Sequence, residues 1–473
     1  MNNKAITFLK NFSYTLSSNL ISIFISTMVI LIVPKLIGVE SYGYWQLYIF
    51  YSSYVGFLHF GWNDGIYLRY GGREYQKLNI TLFFSQFWML VFFQIIIGVI
   101  IFSFSAVFND DSNKLVIIKM TVLCMLLVNV RLMLIYLLQC TNRIKEYANI
   151  VLIEKVLYCI FILLFLSAGV RLYQFLIVAD LLGKFLSLVY AAYCCREIVF
   201  NGFSTFYFSL KETIENIAVG IKLMFANIAS MLTIGIVRFG IERGWDVGTF
   251  GKVSLTLSIS NLLMLFINAV GIIMFPILKR TNLEKLPQIY LTMKTILMLP
   301  LLGLLVMYYP LKIILIGWLP QYADSLKFMA LLFPMCVYEG KMALLINTYL
   351  KTLRKEKLIL FINLISVFLS IFFTFMFTIL LKNLSLAIVT IVVLLAIRCI
   401  LAEVLLSKIL KISVKKDVIF EIAMVLLFIL TGWLVSSWIG TVLYLVAYVI
   451  FVIINRIDIK SSFGHIKILL KNG

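Results

Sequence analysis

Long apolar runs alternate with short polar interruptions along the whole chain. Most runs reach twenty residues, the length an α-helix needs to cross about 30 Å of hydrocarbon. None shows the inside-outside alternation over about 10 residues that marks a transmembrane β-strand. The pattern predicts an all-α polytopic membrane protein of about 14 transmembrane helices, at roughly 12–33, 44–61, 80–108, 115–139, 148–170, 172–194, 216–241, 248–278, 289–310, 326–350, 358–381, 384–407, 418–437 and 439–455. The run from Phe12 to Val33 follows Lys4 and Lys10. It is too long for a signal-peptide core and has no small-residue cleavage pattern, so it is expected to stay as the first helix.

Composition sharpens this picture. Apolar residues make up 63% of 473 and charged residues 13%, where a soluble chain carries about 25% charged. A water-soluble fold cannot hide so much apolar surface. The net charge of +20 then finds its reason in topology. With the N-terminus inside, the inner segments hold 24 Lys and Arg, while the outer ones hold six: Lys35, Lys114, Arg171, Arg243, Lys312 and Lys382. Both termini are therefore expected in the cytoplasm. A nucleic-acid partner is not expected, because the basic residues sit at helix ends rather than on one domain with interleaved aromatics. The seven cysteines form no CxxC pair and the only histidines are His59 and His465, so no metal, cofactor or catalytic site is signalled.

Sliding the chain on itself by 208 residues superimposes Asn19 on Asn227, Ser22 on Ser230, Gly43 on Gly251 and Ser52 on Ser260. A shift of 210 then pairs Lys145-Glu146 with Lys355-Glu356. Two six-helix bundles are expected, at 1–200 and 214–411, followed by two further helices at 417–456 and a cytoplasmic tail at 457–473. An even helix number gives both bundles the same sense in the membrane, an arrangement suited to alternating access. Pro300 and Pro334 fall inside predicted helices of the second half and should kink them.

The stretch ESYGYWQLYIFYSSYVGFLHFGWNDGIYLRYGG, Glu40 to Gly72, resembles the N-terminal signature of bacterial polysaccharide-unit flippases of the Wzx O-antigen type. That family belongs to the multidrug/oligosaccharidyl-lipid/polysaccharide exporter superfamily, which includes MATE-like proteins. The helix from Gly220 to Phe239, FPILKR at Phe275 to Arg280, LPQYADS at Leu319 to Ser325 and NTYLKTLRKE at Asn347 to Glu356 are similar to it as well. The resemblance implies an inner-membrane protein that moves an undecaprenyl-pyrophosphate-linked oligosaccharide to the periplasmic leaflet. Membrane lipids, a polysaccharide polymerase and a chain-length regulator are its implied partners.

A charge at the centre of a membrane helix costs about 2.5–3.5 kcal/mol on insertion scales, so each such residue needs a partner, a hydrated cavity or a role. Arg131, Arg238 and Arg398 are candidate pyrophosphate ligands, because a guanidinium donates parallel charge-assisted hydrogen bonds. Snorkelling or pairing with a neighbouring helix would equally place them. Asn227 shares a helix face with Arg238 eleven residues on. Ser254, Ser258, Asn261 and Asn268 form a second polar stripe, and Gln46, Ser53 and Asp64 a third on the second helix. These stripes are expected to line a substrate cavity, with interhelical hydrogen bonding as the alternative. Tyr44, Tyr48 and Tyr51 read as an interfacial belt or packing. Asp180 and Lys184 form an i, i+4 pair; with Glu154 and Glu339 they are the ion-coupling candidates. Two other functions fit the pattern less well. A multidrug or cation antiporter should expose carboxylates to its cavity, and a polysaccharide polymerase or ligase should carry a long external loop.

Overall fold

Inside hydrocarbon every backbone amide and carbonyl has to be satisfied within its own segment, and each apolar run accordingly folds as a helix. The computed structural model describes residues 3–108, 111–279, 286–435 and 438–471, with no strand among them. Arg280 and Lys285 of the charge count lie outside the described residues, as does the side chain of Asn268.

The order is α1 (Asn3–Leu36), α2 (Val39–Ser52), α3 (Trp62–Tyr70), α4 (Ile80–Phe108), α5 (Ser112–Cys140), α6 (Ile144–Ser167), α7 (Tyr173–Cys194), the single turn α8 (Arg196–Val199), α9 (Leu210–Gly244) and α10 (Val247–Lys279). Next come α11 (Leu286–Leu304), α12 (Tyr308–Trp318), α13 (Ala323–Leu326), α14 (Met329–Leu332), α15 (Met335–Lys341) and α16 (Asn347–Thr352). The chain continues through α17 (Glu356–Thr374), α18 (Leu384–Leu410), α19 (Lys415–Leu434), α20 (Trp438–Ile454) and α21 (Arg456–Lys471).

Among the described residues 11 helical spans are long and apolar enough to cross a membrane, or 12 if α20 and the first part of α21, bent by 64°, count as one. The expected span 44–61 is not a single rod. Helix α2 stops at Ser52, a 3-10 turn covers Val55–Phe57, and Phe60 and Gly61 both take positive φ, 52° and 84°, before α3 begins. Two consecutive left-handed residues cannot continue an α-helix. At the positions that the 208-residue shift matches to this break, α10 runs on without interruption. Pro300 lies inside α11, which gives way to a 3-10 turn at Leu305–Met307, and Pro334 caps α15 in a segment cut into short helices.

The chain divides into two compact units, Met1–Ile228 and Ala229–Gly473, with the division inside α9. Glycine explains why the start of α9 stays with the first unit. A Cβ on Gly65 would lie 1.9 Å from the Asn216 carbonyl oxygen, and one on Gly220 would lie 2.0 Å from that of Gly61. Backbones in such contact leave no room for a side chain. In the first unit α6 also packs on α1 and α7, and α5 on α2, α3, α4 and α7. In the second, α18 packs on α15 and α17, and α21 folds back on α11. A buried ring cluster holds α19 and α20 there: Phe428 meets Tyr308 at 5.3 Å and Tyr444 at 5.4 Å between centroids.

Candidate functional site

In the first unit the broken second span is held by amides. At the break two buried side chains donate to backbone carbonyls, one of which, Val55 O, also takes the Leu58 amide of its 3-10 turn. Asn129 on α5 donates to Val55 O at 3.0 Å, and Gln94 on α4 donates to Leu58 O at 3.0 Å. Asn129 also donates to Gln94 Oε1 at 2.8 Å, and Asn63 donates to the Asn129 carbonyl at 3.0 Å. Asp64 is buried here with His59 Nε2 3.7 Å from its carboxylate. Gln46 is buried on α2 and donates to Tyr42 at 2.9 Å, whereas Ser53 is exposed. Because of the break, Gln46, Ser53 and Asp64 do not lie on one line of one helix.

Two buried charge groups lie elsewhere in the same unit. Arg131 on α5 donates to Glu154 on α6 at 2.6 Å and to Ser187 on α7 at 3.0 Å, tying three helices together. Lys184 donates to Asp180 within α7, and the Tyr48 hydroxyl donates to the same carboxylate oxygen at 2.6 Å. Tyr48 is thus a buried hydrogen-bonding residue rather than part of a belt. Nearer the end of α3, Arg69 donates to Asn216 and Glu215 at 2.6 Å each and also pairs with Glu212.

In the second unit Arg398 on α18 donates to Glu339 on α15, and to the Ser230 hydroxyl on α9 at 3.2 Å. Its Nε is buried without an acceptor. Arg238 is half-buried, donates to Ser254 on α10 at 3.1 Å and lies 5.5 Å from the Phe250 ring centre. Asn227, at the end of the first unit, and Asn261, in the second, are both exposed. The structure therefore joins Arg398 to Glu339, Arg131 to Glu154 and Asp180 to Lys184.

The second unit also holds a mostly buried charge cluster that the sequence analysis does not name. Lys294, Lys341, Glu403, Glu421 and Asp417 form one linked array across α11, α15, α18 and α19. The signal was present: four of these charges fall inside predicted spans, two of each sign. These residues lie on four separate runs, and nothing in the spacing shows that those runs meet.

No family model matches the chain, and no curated protein matches it. Solved structures do. An inward-facing multidrug-resistance MATE transporter of the MOP superfamily aligns with TM-score 0.62 at 11% identity, covering 83% of this chain and 98% of its own. The lipid II flippase MurJ, in an inward closed conformation, aligns with TM-score 0.61 at 12% identity, covering 94% and 98%. A MATE protein in a straight conformation aligns with TM-score 0.55 at 11% identity, covering 86% and 96%. The chain has the polytopic helical fold of these MOP transporters.

Proposed function

We propose that this chain is a flippase that carries an undecaprenyl-pyrophosphate-linked oligosaccharide, an O-antigen or related polysaccharide repeat unit, from the cytoplasmic to the periplasmic leaflet by alternating access. One observation carries the reading: the fold of a lipid II flippase extends over 94% of this chain. The Wzx-like stretch from Glu40 to Gly72 supports the narrower substrate class. In this reading the protein is a transporter and not an enzyme, lies in the inner membrane with both termini cytoplasmic, and works beside a polymerase and chain-length regulator.

The residue roles follow from their surroundings. Arg238, half-buried, and Arg398, with an unused Nε donor, are the anion ligands, since a guanidinium keeps its charge when buried. Exposed Asn227, Asn261 and Ser53 offer hydrogen bonds to sugar hydroxyls. Arg131, whose Nε is likewise without an acceptor, is a third candidate ligand, and its bonds to Glu154 and Ser187 also tie three helices together. In a flippase-null strain Arg238→Ala and Arg398→Ala should each remove most complementation at normal protein level, with lysine at either position keeping part. Glu339→Gln, paired with Arg398→Ala, separates loss of the ligand from the strain of an unpaired carboxylate. Full complementation by both alanine variants overturns the assignment.

A multidrug or cation antiporter is the second reading, favoured by the MATE structure at TM-score 0.62. It requires protein-dependent export of a cationic dye, which the flippase reading does not.

A further inference from the structure

Five charged side chains of the second unit alternate in sign along one continuous chain. Asp417 accepts a hydrogen bond from Lys294 at 2.8 Å, and the same ammonium lies 2.9 Å from Glu403 Oε1. The other oxygen of Glu403 accepts from Lys341, which also donates to Glu421 Oε2 at 2.6 Å. Three carboxylates and two ammoniums leave one net negative charge when all are ionised. Lys294, Lys341, Glu403 and Glu421 are all buried, none more than 3% exposed. The four buried members balance two against two, and the excess negative charge rides on Asp417, whose side chain is partly exposed, so the chain as a whole needs one proton to reach neutrality.

A second observation says where. Glu421 Oε1 is buried and accepts no hydrogen bond. Glu421 also lines a pocket with Lys294, Thr295, Asp417, Asn455 and Asp458. Asp458 is exposed and the Asp417 side chain is 38% exposed, so the pocket leads inward from the helix ends near Lys415 and Arg456. Glu421 is six residues into α19, about 9 Å along its axis.

We propose that Glu421 is a proton-binding site, loaded through this pocket, at which one proton neutralises the five-charge chain. A hydronium ion gives up one O–H bond and leaves as water while an O–H bond forms to Oε1, and the chain goes from one net negative charge to none. A metal cation fits the place poorly, because the second oxygen of Glu421 is held by Lys341 and the oxygen of Asp417 by Lys294. A proton needs a single lone pair. The facing groups come from four helices. Lys341 and Tyr338 face Glu421 from α15, and Cys399 and Glu403 from α18. Tyr290 and Lys294 do so from α11. Asp417 shares its helix, and Asp458 on α21 shares the pocket. The two lysines favour the ionised form, and the three other carboxylates favour the protonated one. Lys341 also ends α15 at a π-helical turn, Met342–Ile346, a feature that recurs at functional sites.

Use of this proton to drive transport rests on the flippase reading; its binding does not, so the test reads the proton and not flux. Infrared difference spectra of the full-length protein in lipid nanodiscs, recorded across pH, should show a protonated-carboxyl band that appears reversibly on acidification. Glu421→Gln, a neutral mimic of the loaded state, should fold and lose that one band, while Glu421→Asp should keep it at a shifted frequency. Asp417→Asn already neutralises the chain and should move the midpoint of the band to lower pH. Absence of any titrating band in the unaltered protein overturns the proposal without recourse to variants. So does the same band in Glu421→Gln, or an unmoved midpoint in Asp417→Asn.

Discussion

Removing one member of a buried ion pair strands the other, and the pair Arg131–Glu154, with side chains 9% and 10% exposed, predicts its own mutational pattern. Arg131→Met should destabilise the protein by about 3–5 kcal/mol, whereas Arg131→Met with Glu154→Met should recover most of that loss. Unfolding of the purified variants in detergent measures both, and additive losses would show that the pair is not coupled. Asn129 gives a second case. Asn129→Leu strands the Gln94 side-chain oxygen and leaves the Val55 carbonyl with the Leu58 amide alone, at a cost of about 1–3 kcal/mol in the same assay. Single residues were legible to unequal degrees. Arg131, Glu154, Arg398, Glu339, Asp180 and Lys184 stand out as charges at membrane depth in the bare sequence. Their partners did not, except within one helix. Asp180 and Lys184 are four residues apart, but Arg131 and Glu154 are separated by 23 and Arg398 and Glu339 by 59, and such contacts depend on which helices meet.

At the scale of the helix, glycine decides where the start of α9 belongs. Gly65→Ala and Gly220→Ala each drive a Cβ into backbone and should lower thermal stability sharply, by several degrees in a detergent melt. Gly317→Ala in α12, where a Cβ meets nothing within 4 Å, should be neutral or slightly stabilising, because alanine is the better helix former. Equal melts for all three would contradict the close approach of α3 and α9. Apolar runs foretold most helices to within a few residues, since hydrocarbon leaves backbone few alternatives. The break after Ser52 was hidden. Its residues are as apolar as a rod, and what permits it is donation from Asn129 and Gln94, which lie far along the chain. The segmentation of 323–352 around Pro334 was only half visible, as a kink.

For the whole molecule, the loop charges expect both termini in the cytoplasm and Ser112, at the start of α5, outside. With the seven native cysteines replaced, Ser112→Cys should react with a membrane-impermeant thiol reagent in intact cells, and Lys355→Cys only after the membrane is opened. The reverse pattern would invert the topology. The all-helical membrane fold was readable from composition and run length alone. The division inside α9 was not, because it turns on glycine contacts between α3 and α9 rather than on any break in polarity. The central claim is that this fold moves a lipid-linked anion between leaflets. Purified protein reconstituted in vesicles with a fluorescent undecaprenyl-pyrophosphate oligosaccharide tests it most directly, by the fraction of lipid that an external, impermeant glycosidase can reach. The account predicts that the inner-leaflet fraction, protected in empty vesicles, becomes accessible with the protein and far more slowly with Arg398→Ala. A protected fraction equal to that of empty vesicles, in preparations that export a cationic dye, would contradict it.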